Sequence, residues 1–254
     1  MVNLNRFSVC TFLVAALLTV CEARQVSATA TTHIWAPSTD VQPYKLVHLT
    51  SDMYLPNEHD AHGARIGTVT NLGLTIGVLP FKAVNMEIGI DHKSGLGSLD
   101  DHPFYGNIKV GVPESAMGGF CPALAVGIFD IGSKADLTDF NIIYFKAART
   151  LTVGKTSLGR FSIGYFTGND KLLVNGQGKK DNTGVLAAWE RTMTEWSEKL
   201  WLCAEYMGSE SAYGTINVGL AWKFAANVSV LGAVDIFNND DLASTGTIQI
   251  DIDF

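Results

Sequence analysis

The chain has 254 residues, 18 Lys and Arg against 25 Asp and Glu, and a formal net charge of −7. Nothing in it builds the clustered basic surface that phosphates require, which excludes nucleic acid as a partner. A mean hydropathy of +0.17 with 25 glycines is high for a soluble enzyme, yet after residue 30 no apolar run approaches the roughly 20 residues of a membrane-crossing helix.

Residues 1–30 read as a secretory signal: Arg6 supplies the positive region, Phe7 to Val20 the apolar core, and Ala28-Thr29-Ala30 the small-x-small cleavage site. A cut after Ala23 stays open, as does lipidation of Cys21, although the bulky Val20 stands against the latter. Cleavage after Ala30 takes two of the basic residues and one of the acidic ones, leaving 16 against 24 and a net charge of −8. It also removes Cys10 and Cys21, so Cys121 and Cys203 remain, free to pair or simply to pack. Residues 31–43 are polar, proline-containing and unpatterned, a short lead-in to the patterned chain.

From residue 44 to 254 the hydrophobic period is two. Ile66, Thr68, Thr70, Leu72, Leu74, Ile76 and Val78 share one face, and Val84, Met86, Ile88 and Ile90 alternate with Asn85, Glu87, Gly89 and Asp91. The pattern returns at Ile216 to Phe224, at Val228 to Ile236, and in the clean terminal run Ile248, Ile250, Ile252, Phe254. Strands are predicted near 44–55, 65–78, 83–93, 103–112, 122–132, 138–147, 158–168, 183–194, 198–208, 212–223, 227–237 and 243–254. The segments near 122–132 and 138–147 are apolar on both faces. Nowhere do apolar residues keep a helical spacing over three turns. An exported, apolar chain without spanning helices has one good membrane solution, a sheet closed on itself with no backbone group left unpaired in lipid. The expected class is therefore all-β: a single closed antiparallel transmembrane β-barrel of about 12 strands over residues 44–254.

The terminal Ile-Gln-Ile-Asp-Ile-Asp-Phe resembles the last strand of Gram-negative outer-membrane proteins, an alternating strand ending in an aromatic residue. The remainder, from about residue 40, looks like their small porin-like barrels. The resemblance implies a cell outer-membrane location, with outer-membrane lipid around the barrel. It also implies recognition of Ile248, Ile250, Ile252 and Phe254 by the barrel-insertion machinery. Residues 31–43 then become a periplasmic lead-in, and alternate links should be short periplasmic turns and longer outer loops. The links near 113–121 and 148–157 are longer than that rule prefers. The outer loops are 56–64, 93–102 and 169–182.

Parity turns Glu87, Asp91, Lys109, Lys146, Glu205, Lys223, Asp235, Asp251 and Asp253 inward, and these are the expected pore-lining residues. Of the adjacent Glu190 and Arg191, one should point inward and the other sit near a rim. A barrel of this size encloses more space than short side chains fill. The expected function is a narrow channel for passive passage of small solutes or ions, preferring cations because six inward acids oppose three bases. The rival is a non-conducting structural or recognition barrel working through its outer loops. Tyr54, Phe104, Tyr165, Trp189, Tyr206, Tyr213, Trp222 and Phe237 lie near strand ends and suit interfacial girdles. His59, His62 and His102 fall in polar outer loops; His-x-x-His with flanking carboxylates can bind zinc or copper, but turn chemistry is the preferred explanation, and no metal or cofactor is expected. Asp91-His92 and Asp101-His102 are neighbours whose side chains diverge on a strand, so no catalytic residues are assigned and the chain is not read as an enzyme.

Overall fold

The computed structural model describes residues 31–254 except 60, 61 and 155. The expected signal over 1–30 lies outside the described residues. Twelve antiparallel strands close into a barrel in which each pairs with its sequence neighbours and the last returns to the first. They are β1 (Val47–Pro56), β2 (Val69–Gly77), β3 (Asn85–Ser94), β4 (Phe104–Val112), β5 (Ala123–Gly132), β6 (Ile142–Val153), β7 (Thr156–Thr167), β8 (Thr183–Thr192), β9 (Leu200–Met207), β10 (Thr215–Ala225), β11 (Val228–Phe237) and β12 (Thr245–Asp253). Closure runs from His48 opposite Asp253 to Pro56 opposite Thr245, so no strand edge is left open.

The period-two pattern sorts side chains between two solvents. Ile163, Val218, Leu220, Val234, Ile236, Ile248 and Ile250 all stand exposed on the outer face. A soluble monomer rarely exposes more than a few hundred Å² of contiguous apolar surface, so this face belongs in lipid. One end of the barrel carries tight links, two residues long at 154–155 and 226–227; the other carries longer ones, including 57–68 and 168–182.

β6 departs furthest from expectation. It starts at Ile142 and runs to Val153, where Gly154 at φ 62° turns the chain directly into β7, so the expected long link near 148–157 is a tight turn. Residues 138–141 belong instead to an outer turn: Phe140 N donates to the Thr138 carbonyl, and Asn141 sits at φ 47°. Phe140 mimics a strand residue in sequence because it packs inside the barrel, 5.4 Å from the Tyr213 ring.

The same cause explains why this region is apolar on both faces. Ala125, Ile142, Tyr144, Phe166, Leu186 and Met207 form a buried cluster within the lumen, joined by Ala36 and by Leu173 from the longest outer loop. β5 adds a bulge, where Phe129 and Asp130 together face Asn107 as the register slips between Gly106 and Ile108. Asp130 adopts φ 53° there, and both Phe129 and Asp130 consequently reach the cavity.

Candidate functional site

Residues 31–43 precede the first strand, as expected, but they run inside the barrel instead of standing clear of it. Their backbone folds into a compact hairpin, with His33 N donating to the Ala36 carbonyl at 2.9 Å and Ser38 N to the Thr31 carbonyl at 3.1 Å. The chain leaves the lumen through a turn at Lys45, φ 67°, and enters β1. The segment lacks an amphipathic period because its partners lie on several sides of it and not on one face. Ile34 and Ala36 are buried on apolar wall residues, while its exposed backbone groups meet charged side chains.

Those charged side chains are largely the ones that parity turned inward. Glu205 accepts from Trp35 N at 2.6 Å and Ala36 N at 3.2 Å, and Glu87 from Gln42 N at 2.6 Å. Lys109 pairs with Glu87 at 3.0 Å and donates to the carbonyls of Thr31 and Asp40, each at 2.6 Å. Lys146, fully buried, donates to the Pro37 carbonyl at 2.9 Å and to His33 Nδ1 at 3.1 Å. An ammonium can only donate, so His33 carries its proton on Nε2 and offers it to Glu190 at 3.3 Å. Each buried charge thus gains the partners that burial demands.

The remaining expected residues sit elsewhere on the inner wall. Asp235 is buried and accepts from the hydroxyls of Thr245 and Thr247. His48 bridges Asp253 at 2.8 Å and Asp251 at 3.4 Å. Asp91, Lys223 and Asp251 line open space. Of the adjacent pair, Glu190 faces in and Arg191 binds Glu195 in the following turn. Sequence reasoning missed His33, His48, Asp52, Lys93, Asp130 and Arg160. Asp52 and Lys93 were within reach of the same alternation; His33 and the bulged Asp130 follow no period that could have marked them. Arg160 binds Asp40 at 2.8 Å and the Thr39 hydroxyl at 2.5 Å.

Three expected girdle residues turn inward. Trp35 is surrounded edge-on by Tyr54 at 5.2 Å, Phe237 at 5.6 Å and Tyr213 at 6.3 Å. Tyr213, in the link 208–214, donates to Asp130; burial pushes its hydroxyl well above the ordinary value, which keeps it a neutral donor. Phe104, Tyr165, Tyr206 and Trp222 are exposed on the outer face as girdles require, and Trp189 donates to the Leu158 carbonyl at 2.8 Å. Asp91 and His92 diverge: Asp91 lines the cavity while His92 lies against Phe104 at 5.2 Å. Both Cys121 and Cys203 are free thiols, and Cys203 packs against Ile34 and Leu231.

The segment does not fill the lumen. A cavity of about 860 Å³ reaches Pro56, Leu96 and Leu242 at the end with the longer loops, and Thr192, Lys199 and Lys223 at the other. Gln249 and Leu231 line it between the two, and Gln249 also donates to the Ile34 carbonyl at 2.6 Å.

No protein-family model matches the sequence, and no curated protein sequence matches it. Solved structures do match the fold. A KdgM porin superposes with a TM-score of 0.50 at 8% identity, covering 82% of this chain and 98% of that one. A KdgM porin in complex with disordered oligogalacturonate gives 0.52 at 9% identity, covering 82% and 99%. A NanC porin gives 0.46 at 8% identity, covering 82% and 98%. The molecule is a twelve-stranded, porin-like β-barrel.

Proposed function

We propose that this barrel is a narrow outer-membrane channel for passive passage of small solutes or ions. The observation that carries the reading is the cavity of about 860 Å³ with lining residues from both ends of the barrel. It leaves a route beside the internal segment, along β11 and β12. The apolar outer face and the porin-like fold support the outer-membrane location, with the signal over 1–30 as the means of export and the β12 residues Ile248, Ile250, Ile252 and Phe254 as the insertion signal. The expected wall residues then divide by role: Asp91, Lys223 and Asp251 meet passing solute, while Glu87, Lys109, Lys146 and Glu205 hold the internal segment. Leu173 tucks the longest outer loop into the luminal cluster, which supports reading that loop as a constriction at the mouth rather than an outward recognition arm. The strand-borne Asp91-His92 pair, split between the lumen and the outer face, forms no catalytic dyad.

Single-channel recording from chain beginning at Thr31, refolded into a planar bilayer, tests the proposal. Discrete, steady conductance is expected. A barrel that inserts, shifts on a denaturing gel when boiled, and passes no current would overturn it.

A further inference from the structure

The half of the lumen nearer the longer loops has one wall that offers acceptors almost alone. Asp52, Asn71, Asp91 and Asn107 stand on the neighbouring strands β1 to β4 and are tied sideways to each other. Asn71 Nδ2 donates to Asp52 at 3.0 Å and to Asp91 at 3.4 Å, and Asn107 Nδ2 donates to Asp91 at 2.7 Å. The Thr50 hydroxyl donates to Asp52 at 2.6 Å. A carboxylate only accepts, so Asn71 spends both amide hydrogens on the two acids and Asn107 one on Asp91, and most donors of this wall are consumed within it. What remains is oxygen, and Asn71 Oδ1 is buried with no hydrogen-bond partner.

The wall also lacks an ion pair of its own. Among the described residues no salt bridge reaches Asp52 or Asp91. The adjacent base, Lys93, is committed to Asp130 at 2.6 Å and lies 4.9 Å above the Tyr105 ring. Tyr105 supplies a separate indication of a ligand: it is 1% exposed, lines the same cavity, and its hydroxyl has no partner. The cavity's other lining here is aromatic, with Trp35, Tyr54 and Phe237 packed edge-on.

A molecule that satisfies both surfaces brings N–H donors and positive charge at one end and apolar area at the other. A hydrated metal ion would use the oxygens but gain little from the rings, whereas an ammonium draws on both carboxylates and aromatic faces. We propose that this wall binds small organic cations, an ammonium group carried on an apolar body, with Asp52 and Asp91 as the charge-recognising pair. The solute's route to the wall rests on the channel reading; binding at the wall does not.

Calorimetry on detergent-solubilised chain beginning at Thr31 tests this with benzylammonium chloride, against benzyl alcohol and sodium benzoate as probes of the same shape. Benzylammonium should bind and the other two should not compete with it. The Asp52→Asn, Asp91→Asn double variant should weaken binding by about tenfold or more, the loss of charge-assisted bonds. The unsubstituted protein gives a measurement that needs no variant: affinity should fall between about 10 mM and 1 M salt, as the Debye length shrinks from roughly 30 to 3 Å. Benzyl alcohol binding as tightly as benzylammonium, salt-independent affinity, or no benzylammonium binding would each overturn the proposal. Bilayer recording separates it from the channel reading. Protein that binds benzylammonium but carries no current keeps this site and loses the channel; protein that conducts but ignores the probe loses this site and keeps the channel.

Discussion

Glu205→Ala should unseat the internal segment. Glu205 is 4% exposed and accepts backbone N–H bonds from Trp35 at 2.6 Å and Ala36 at 3.2 Å, with Asn217 holding the same carboxylate at 2.8 Å. Alanine strands both backbone donors inside the lumen. A buried donor without a partner costs about 1–3 kcal/mol, so the seated state loses roughly 2–6 kcal/mol. Even the lower figure shifts the balance between seated and withdrawn by on the order of thirtyfold. Glu205→Gln keeps an accepting oxygen and loses only the charge, a change of about 1 kcal/mol. Two readouts report on the segment. Single-channel conductance should rise in the order wild type, Gln, Ala, with deletion of residues 31–43 as the ceiling. Chymotryptic cleavage after Trp35, followed by mass spectrometry on the folded barrel, should rise in the same order short of the deletion. The reasoning fails if Glu205→Ala leaves conductance and protection unchanged while the deletion opens the barrel. It fails more deeply if the deletion conducts no better than wild type, because the segment would then obstruct nothing.

The wall and the thiols each carry an expected outcome. Ile250→Lys places a charge on the outer face of β12, where lipid exposure should cost roughly 2–4 kcal/mol near the bilayer midplane. Ser229→Lys on paired β11 enters the cavity beside Asp251 and should be tolerated; equal loss in urea unfolding from vesicles would mean the register is wrong. Chain beginning at Thr31 and unfolded without reductant should titrate two thiols, because Cys121 and Cys203 are free. Cys203 should react only after unfolding, being 1% exposed; a disulfide-linked peptide in the digest would contradict both statements.

The barrel is legible in the sequence because alternation is a local property. Ile248, Ile250 and Ile252 announce their face within one strand, whatever the rest of the chain does. β6 is misread where that locality breaks. Phe140 looks outward-facing by type, yet it turns into an apolar luminal cluster that exists only once Tyr213 and Leu173 arrive from distant links. The internal segment is illegible for a stronger reason. A strand in a two-sided sheet must divide its side chains between lipid and lumen, whereas residues 31–43 meet the inner wall on several sides and the cavity on another, with no two-faced surface to set a period. Its partners do leave a trace, in the buried acids and bases at Glu87, Lys109, Lys146 and Glu205. A water-filled pore has no need to bury charge so completely. Six inward acids against three bases therefore overcounts the charge that faces open space. Glu87, Lys109, Lys146 and Glu205 are consumed by the segment, and Asp235, Asp251 and Asp253 already hold hydroxyls or His48. On the strands, Asp91 from that set and Asp52 line the cavity without a salt bridge among the described residues. Any preference for cations should consequently depend on these two more than on the inner acids, whose replacement would first disturb the segment they hold.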